Sequence, residues 1–181
     1  MKRFAVVLLL PLVFAGNALA AGPSRLPACA SAQSRQLDFW IGHWVVRDTA
    51  SGVAIGRSRI EPLLGGCAMA ETFDQDVGPG SRPIDYHGAS HSAYDTTSGA
   101  WRQFYVGSDG TSFLASGGIA DGAMVLEAST DAVSRRMTLR AMPDGRVRQT
   151  GETTRDGGKT WQTSYDFTYE RETMEGTALT R

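Results

Sequence analysis

Along KTWQTSYDFTYER, residues 159–171, aromatic and polar side chains alternate. Trp161, Tyr165, Phe167 and Tyr169 fall on one face, and Gln162, Ser164, Asp166, Thr168 and Glu170 on the other. A period of two is the signature of a half-buried strand. SRRMTLRAM repeats it, with Met137, Leu139 and Ala141 opposed to Arg136, Thr138 and Arg140. Turn signals separate such runs at short intervals: Ser51-Gly52, Gly65-Gly66, Ser98-Gly99, Asp109-Gly110, Asp121-Gly122, Asp144-Gly145 and Asp156-Gly157-Gly158. Asp-Gly tolerates the positive φ angles that tight hairpins need. The pattern predicts about ten strands. They run over residues 43–50, 53–61, 67–74, 88–95, 100–106, 111–118, 123–129, 135–142, 146–154 and 160–170.

Sequential strands joined by tight turns make an antiparallel meander, and a long meander leaves two exposed edges unless it closes. The expected fold is therefore all-β, an up-and-down antiparallel β-barrel spanning residues 37–172. A short N-terminal helix is expected only within residues 31–40, SAQSRQLDFW, where Ser31 could cap it. Residues 75–87 are rich in Gly and Pro and read as a loop longer than a hairpin turn. Residues 173–181 read as a tail.

The start of the chain changes the picture from fold to compartment. Lys2 and Arg3 precede an apolar run from Phe4 to Phe14, followed by the small-residue sequence Asn17-Ala18-Leu19-Ala20. That is the pattern of a secretory signal peptide, residues 1–20, cleaved after Ala20, and it is too short for a membrane span. Residues 21–36 then form an N-terminal segment, and no later stretch is apolar enough to cross a bilayer. Removing Lys2 and Arg3 from the 18 basic residues leaves 16 against 19 acidic ones. A mildly negative chain with no basic run argues against nucleic acid as a partner. A periplasmic or secreted location makes the two cysteines, Cys29 and Cys67, an expected disulfide tying the N-terminal segment to an early strand.

LDFWIGHWVV, residues 37–46, concentrates aromatic residues around Gly42 just before the first strand. Gly42-His43-Trp44 resembles the Gly-x-Trp of lipocalin-like barrels, the calycin superfamily. With GGCAMAE, SAYDTTSGAWRQFYVGSDG and RQTGETTRDGGKTW it is similar to a family of small secreted bacterial proteins of unknown function. The likeness runs from about Leu37 to Arg171 and implies a calycin-like barrel without an established activity. It also implies that Trp44 plugs one barrel end and meets a basic side chain of a late strand, for which Arg171 is the candidate. Nitrobindin-like barrels of the same superfamily hold haem through a C-terminal histidine. This chain has none after His91, so no cofactor is expected by that route.

Candidate chemistry is sparse. His87 and His91 lie where four residues of strand span about 13 Å, too far for one metal ion. Gly88-Ala89-Ser90-His91-Ser92 lacks the last glycine and the following helix of a hydrolase elbow. His43 is assigned no role. Polar residues on candidate inner faces carry more promise. Glu71 shares a face with Cys67, Met69 and Phe73; Tyr94 with Ser90 and Ser92; Trp101 with Gln103 and Tyr105. If these faces point inward, Glu71, Tyr94, Trp101, Gln103 and Tyr105 make a mixed aromatic and polar ligand site. A buried Glu71 would then need a partner, for which Arg140 and Arg148 are the cations at hand. The opposite parity, with Arg102 and Phe104 inside, is equally compatible with the alternation.

The sequence therefore points first to a barrel binding a small, largely apolar molecule with a polar end, and leaves the ligand open. The alternatives are a barrel enzyme using Glu71 or His91 as acid or base, and an envelope interaction protein presenting the 75–87 loop.

Overall fold

The computed structural model describes residues 29–130 and 132–173. Residues 1–20, expected to be a signal peptide, and nearly all of the expected 173–181 tail lie outside the described residues. Ten strands follow one another: β1 (Gly42–Asp48), β2 (Ala54–Leu63), β3 (Ala68–Gly78), β4 (Arg82–Asp95), β5 (Ala100–Gly107), β6 (Ser112–Ala120), β7 (Ala123–Ser129), β8 (Ser134–Ala141), β9 (Val147–Thr154) and β10 (Gln162–Arg171). Each pairs antiparallel with its chain neighbours, and β10 returns to β1 to close the barrel, with Val46 opposite Tyr169. Closure leaves no strand edge free for pairing with another chain.

Two expectations need correction. Residues 75–87 are mostly strand, not loop: β3 continues to Gly78 and β4 begins at Arg82, with only Pro79–Ser81 in the turn. A register shift between Gln75 and Val77 absorbs the mismatch. Beneath the Gly/Pro composition, Val77, Ile84 and Tyr86 still supply inward apolar positions, and these hold the hairpin against the lumen. The short helix within residues 31–40 is instead two 3₁₀ turns, Gln33–Arg35 and Asp38–Trp40. Leu37 breaks the helical path between them at φ −102°, ψ 6°. The break lets both Leu37 and Trp40 drop fully into the barrel end, each 0% exposed. Ser31 still accepts the Ser34 amide at 3.1 Å.

The N-terminal segment closes one end of the barrel. Trp44 is fully buried there, and its indole N–H donates to the Trp40 carbonyl at 2.9 Å. Tyr169 meets both indoles edge-on, at 6.3 Å from Trp40 and 6.2 Å from Trp44. The Arg171 guanidinium lies 4.4 Å from the centre of the Trp44 ring, a cation–π contact. Gly42 between the aromatics has φ +149°, and a side chain there would meet Arg171 Nη1 at 2.5 Å. The Arg171 side chain can swing away, but the positive φ strains any other residue, and that is why a glycine sits inside the aromatic cluster. Cys29 and Cys67 are disulfide-bonded with Cα atoms 5.0 Å apart, pinning the segment to the turn before β3. Across a separation of 38 residues, such a link stabilises by about 4 kcal/mol in the chain-entropy model.

The outer wall carries ion pairs on β2 and across β9–β10, and exposed apolar side chains, Phe104, Val106, Leu114 and Ile119, on β5 and β6. Arg148 pairs with Asp166 at 2.5 Å and Arg59 with Glu61 at 2.8 Å. Among the described residues, no helix is long and apolar enough to cross a membrane.

Candidate functional site: an aromatic cavity around a buried carboxyl

Because the N-terminal segment fills one end, the other half of the barrel stays hollow. A cavity of about 770 Å³ opens between the β1–β2, β3–β4, β5–β6 and β9–β10 turns. Its wall is largely aromatic. Tyr105 stacks on Phe113 with ring centres 5.2 Å apart, Tyr165 stacks on Phe167 at 4.8 Å, and Phe73 touches Phe167 at 6.2 Å. Tyrosine rings stay flat against the wall because small residues face them. A Cβ on Gly88 would collide with Tyr105, on Gly107 with Tyr86, and on Gly151 with Tyr165. Each glycine thus leaves a slot for a ring on the strand beside it, and the lumen stays open.

Among the described residues, one carboxyl of this wall is buried; Arg135, Arg136 and Glu152 also line the cavity but are more exposed. Glu71 is 6% exposed, and its oxygens each accept one hydroxyl at 3.0 Å, from Ser58 of β2 and Ser90 of β4. Gln103 of β5 extends the network, donating to Ser90 at 3.3 Å and Ser92 at 3.2 Å. Tyr169 donates to the Gln149 side-chain oxygen nearby, and the Tyr86 and Tyr105 hydroxyls meet at 2.5 Å. Burial pushes the Glu71 carboxyl up to about 7, and the two serine hydrogen bonds only partly oppose it. Burial likewise pushes the Tyr105, Tyr165 and Tyr169 phenols up, helped by the Glu71 charge. Among described buried side-chain polar atoms, only the Trp40 indole N–H lacks a hydrogen-bond partner, and it lies in the plug.

The expected cation for Glu71 is not there. Arg140 donates to the Asp121 carbonyl at 2.9 Å, and Arg148 is held by Asp166. Both project outward because their neighbours Leu139, Val147 and Gln149 take the buried positions. Strand parity, not distance along the chain, excludes them.

The structure divides the five expected site residues. Glu71, Gln103 and Tyr105 line the cavity. Trp101 faces the same interior but belongs to the plug, where its indole donates to Gln36 Oε1 at 3.1 Å and meets Tyr94 edge-on at 6.2 Å. Tyr94 and Trp101 are therefore walls of the closed end. β5 runs from the plug to the open half, so one strand face serves both. Arg102 and Phe104 lie on the outside, Phe104 51% exposed. His91 is exposed on the outer wall and cannot act in the lumen. His87 also faces outward, bonded to Asp74 at 2.6 Å, which raises its pKa. His43 is exposed as well.

Several lining residues escape a reading of the sequence. Tyr165 and Phe167 were visible as one strand face without a sign that it borders a cavity. Ser58 and Gln149 carry no local signal, since an isolated polar residue in a strand is ordinarily solvated. Among the described residues, no three His, Cys, Asp or Glu side chains gather as metal ligands.

These features define a class: a closed ten-stranded up-and-down barrel, plugged at one end, with an aromatic cavity around a single buried carboxyl. No protein-family model matches the chain, and no curated protein does.

Proposed function

We propose that this protein is an exported, calycin-like barrel that binds a small, largely apolar molecule with one polar end. The observation that carries the reading is the cavity itself. Its volume of about 770 Å³ falls in the range of small-molecule sites, roughly 300–1,000 Å³, which combine apolar walls with a few fixed polar groups. The apolar body of the ligand occupies the space between Phe73, Tyr105 and Phe167, and its polar end reaches the Glu71–Ser90–Gln103 network. The disulfide suits an oxidising compartment, which supports a periplasmic or secreted location.

Fluorescence titration with an environment-sensitive naphthalene dye tests this. Ala115 is 3% exposed and lines the cavity, so Ala115→Trp puts an indole into it and narrows the space left for a ligand. Wild type should take up one dye per barrel, and Ala115→Trp should bind it more weakly while its circular dichroism is retained. Equal uptake by both proteins, or none by wild type, would refute the reading. A second reading, acid–base catalysis by Glu71, draws on the same raised pKa, since groups poised near neutrality serve as proton donors and acceptors. Recovery of chemically altered ligand after incubation would favour it.

A further inference from the structure

We propose that the polar end of the ligand is a protonated amine, so that the cavity takes a primary or secondary amine on an aryl or alkyl body and binds it as an ion pair with Glu71. This rests on the binding reading above and specifies its ligand class. Folding has carried a carboxyl into a nearly closed wall and has supplied it with hydroxyl donors only, from Ser58 and Ser90. A carboxylate has about four acceptor sites, so positions remain on Glu71 for a donor arriving through the cavity. The groups that face it from every neighbouring strand are uncharged: Ser58 on β2, Ser90 on β4, Gln103 and Tyr105 on β5, and Tyr165 and Tyr169 on β10. The cations that line the cavity, among the described residues, are Arg135 and Arg136. Arg136 is bound to Glu152 at 2.9 Å and lies over Trp161, while Arg135 lies over Phe113 at 5.8 Å.

The three classes of polar end behave differently against this wall. A second carboxylate beside Glu71 would be repelled in a medium of low dielectric. A neutral alcohol makes a hydrogen bond but brings no counter-charge, so Glu71 keeps its proton. An ammonium supplies the counter-charge and a charge-assisted hydrogen bond to a group whose desolvation is already complete before binding. The aromatic faces around the site attract the same cation. Binding then ionises Glu71, and its proton leaves to solvent while the ammonium keeps its own.

Calorimetric titration of the mature protein at pH 6.5 with 4-phenylbutylamine, 4-phenylbutanol and 4-phenylbutyrate decides the matter, because the three share one skeleton. The amine should bind at least about tenfold more tightly than the alcohol, as expected of a charge-assisted contact. Repeated in buffers of different ionisation enthalpy, amine binding should release most of one proton and alcohol binding none. In Glu71→Gln the amine-to-alcohol affinity ratio should fall to about one. Alcohol or acid binding as tightly as the amine, or amine binding without proton release, overturns the amine assignment while leaving the binding barrel standing. A ratio that survives in Glu71→Gln also overturns it. Failure of all three ligands, together with failure of the dye, overturns both.

Discussion

Replacing Glu71 by glutamine should make the protein more stable at pH 8 than the wild type, and should remove a loss of stability that the wild type shows on going from pH 5 to pH 8. Glutamine keeps the shape and can still bond Ser58 and Ser90, but it carries no charge to bury. A glutamyl carboxyl ordinarily titrates at 4.5, and in the folded barrel Glu71 is pushed up to about 7. Between those values the folded protein holds a proton that the unfolded chain has released. Stability from this group is therefore fully present below about pH 4.5, and it is lost as the pH rises through 7. At about 1.4 kcal/mol per pH unit, the full span amounts to about 3 kcal/mol, most of which falls between pH 5 and pH 8. His87, whose pKa is raised by Asp74, also loses its contribution as pH rises. It is present in both proteins, so it cancels in their difference. Urea melts of both proteins at half-unit pH steps measure that difference directly. The gap between Glu71→Gln and wild type should widen by about 2–3 kcal/mol from pH 5 to pH 8, near 5–10 °C in Tm for a domain of this size. Parallel pH profiles would show that Glu71 titrates normally and is not the buried charge described above.

Trp44→Ala should remove both the plug and the surface on which Arg171 rests, at a cost of about 3–5 kcal/mol; a thermal melt shifted by less than about 3 °C would refute the plug. Gly151→Ala should force the Tyr165 ring off the wall, costing about 1–3 kcal/mol by overpacking and displacing dye from the cavity. An unchanged dye titration would mean that the ring does not depend on that glycine.

Much of the fold is legible from local chemistry. The count of ten strands and their order follow from two-residue alternation and Asp-Gly turns, because hairpin register is fixed by the few residues at each turn. The stretch 75–87 reads as a loop because Pro and Gly mask the alternation of Val77, Ile84 and Tyr86, and because a bulge shifts the register between Gln75 and Val77. The grouping of Trp101, Gln103 and Tyr105 was also legible, since the pleat keeps alternate residues together. Their direction was not. Gln103 points inward because Ser90 and Ser92 on β4 satisfy its amide, whereas a buried Arg102 would find no such partners; it reaches Asp95 on the outside at 3.9 Å.

The sequence by itself determined a chain of alternating strands with a disulfide and an aromatic start, because those signals are short-range or compositional. Only the tertiary structure decided where the plug ends and the cavity begins. That boundary depends on how far the N-terminal segment reaches into the barrel, and it separates Trp101 from Tyr105 on the same strand face. Closure also decided the character of Glu71. Its surroundings come from strands distant in sequence from one another, from Ser58 on β2 to Tyr169 on β10, and parity turned every expected arginine to the solvent side. A carboxyl that reads as ordinary in the chain becomes, in the closed barrel, the buried carboxyl of a hollow aromatic interior.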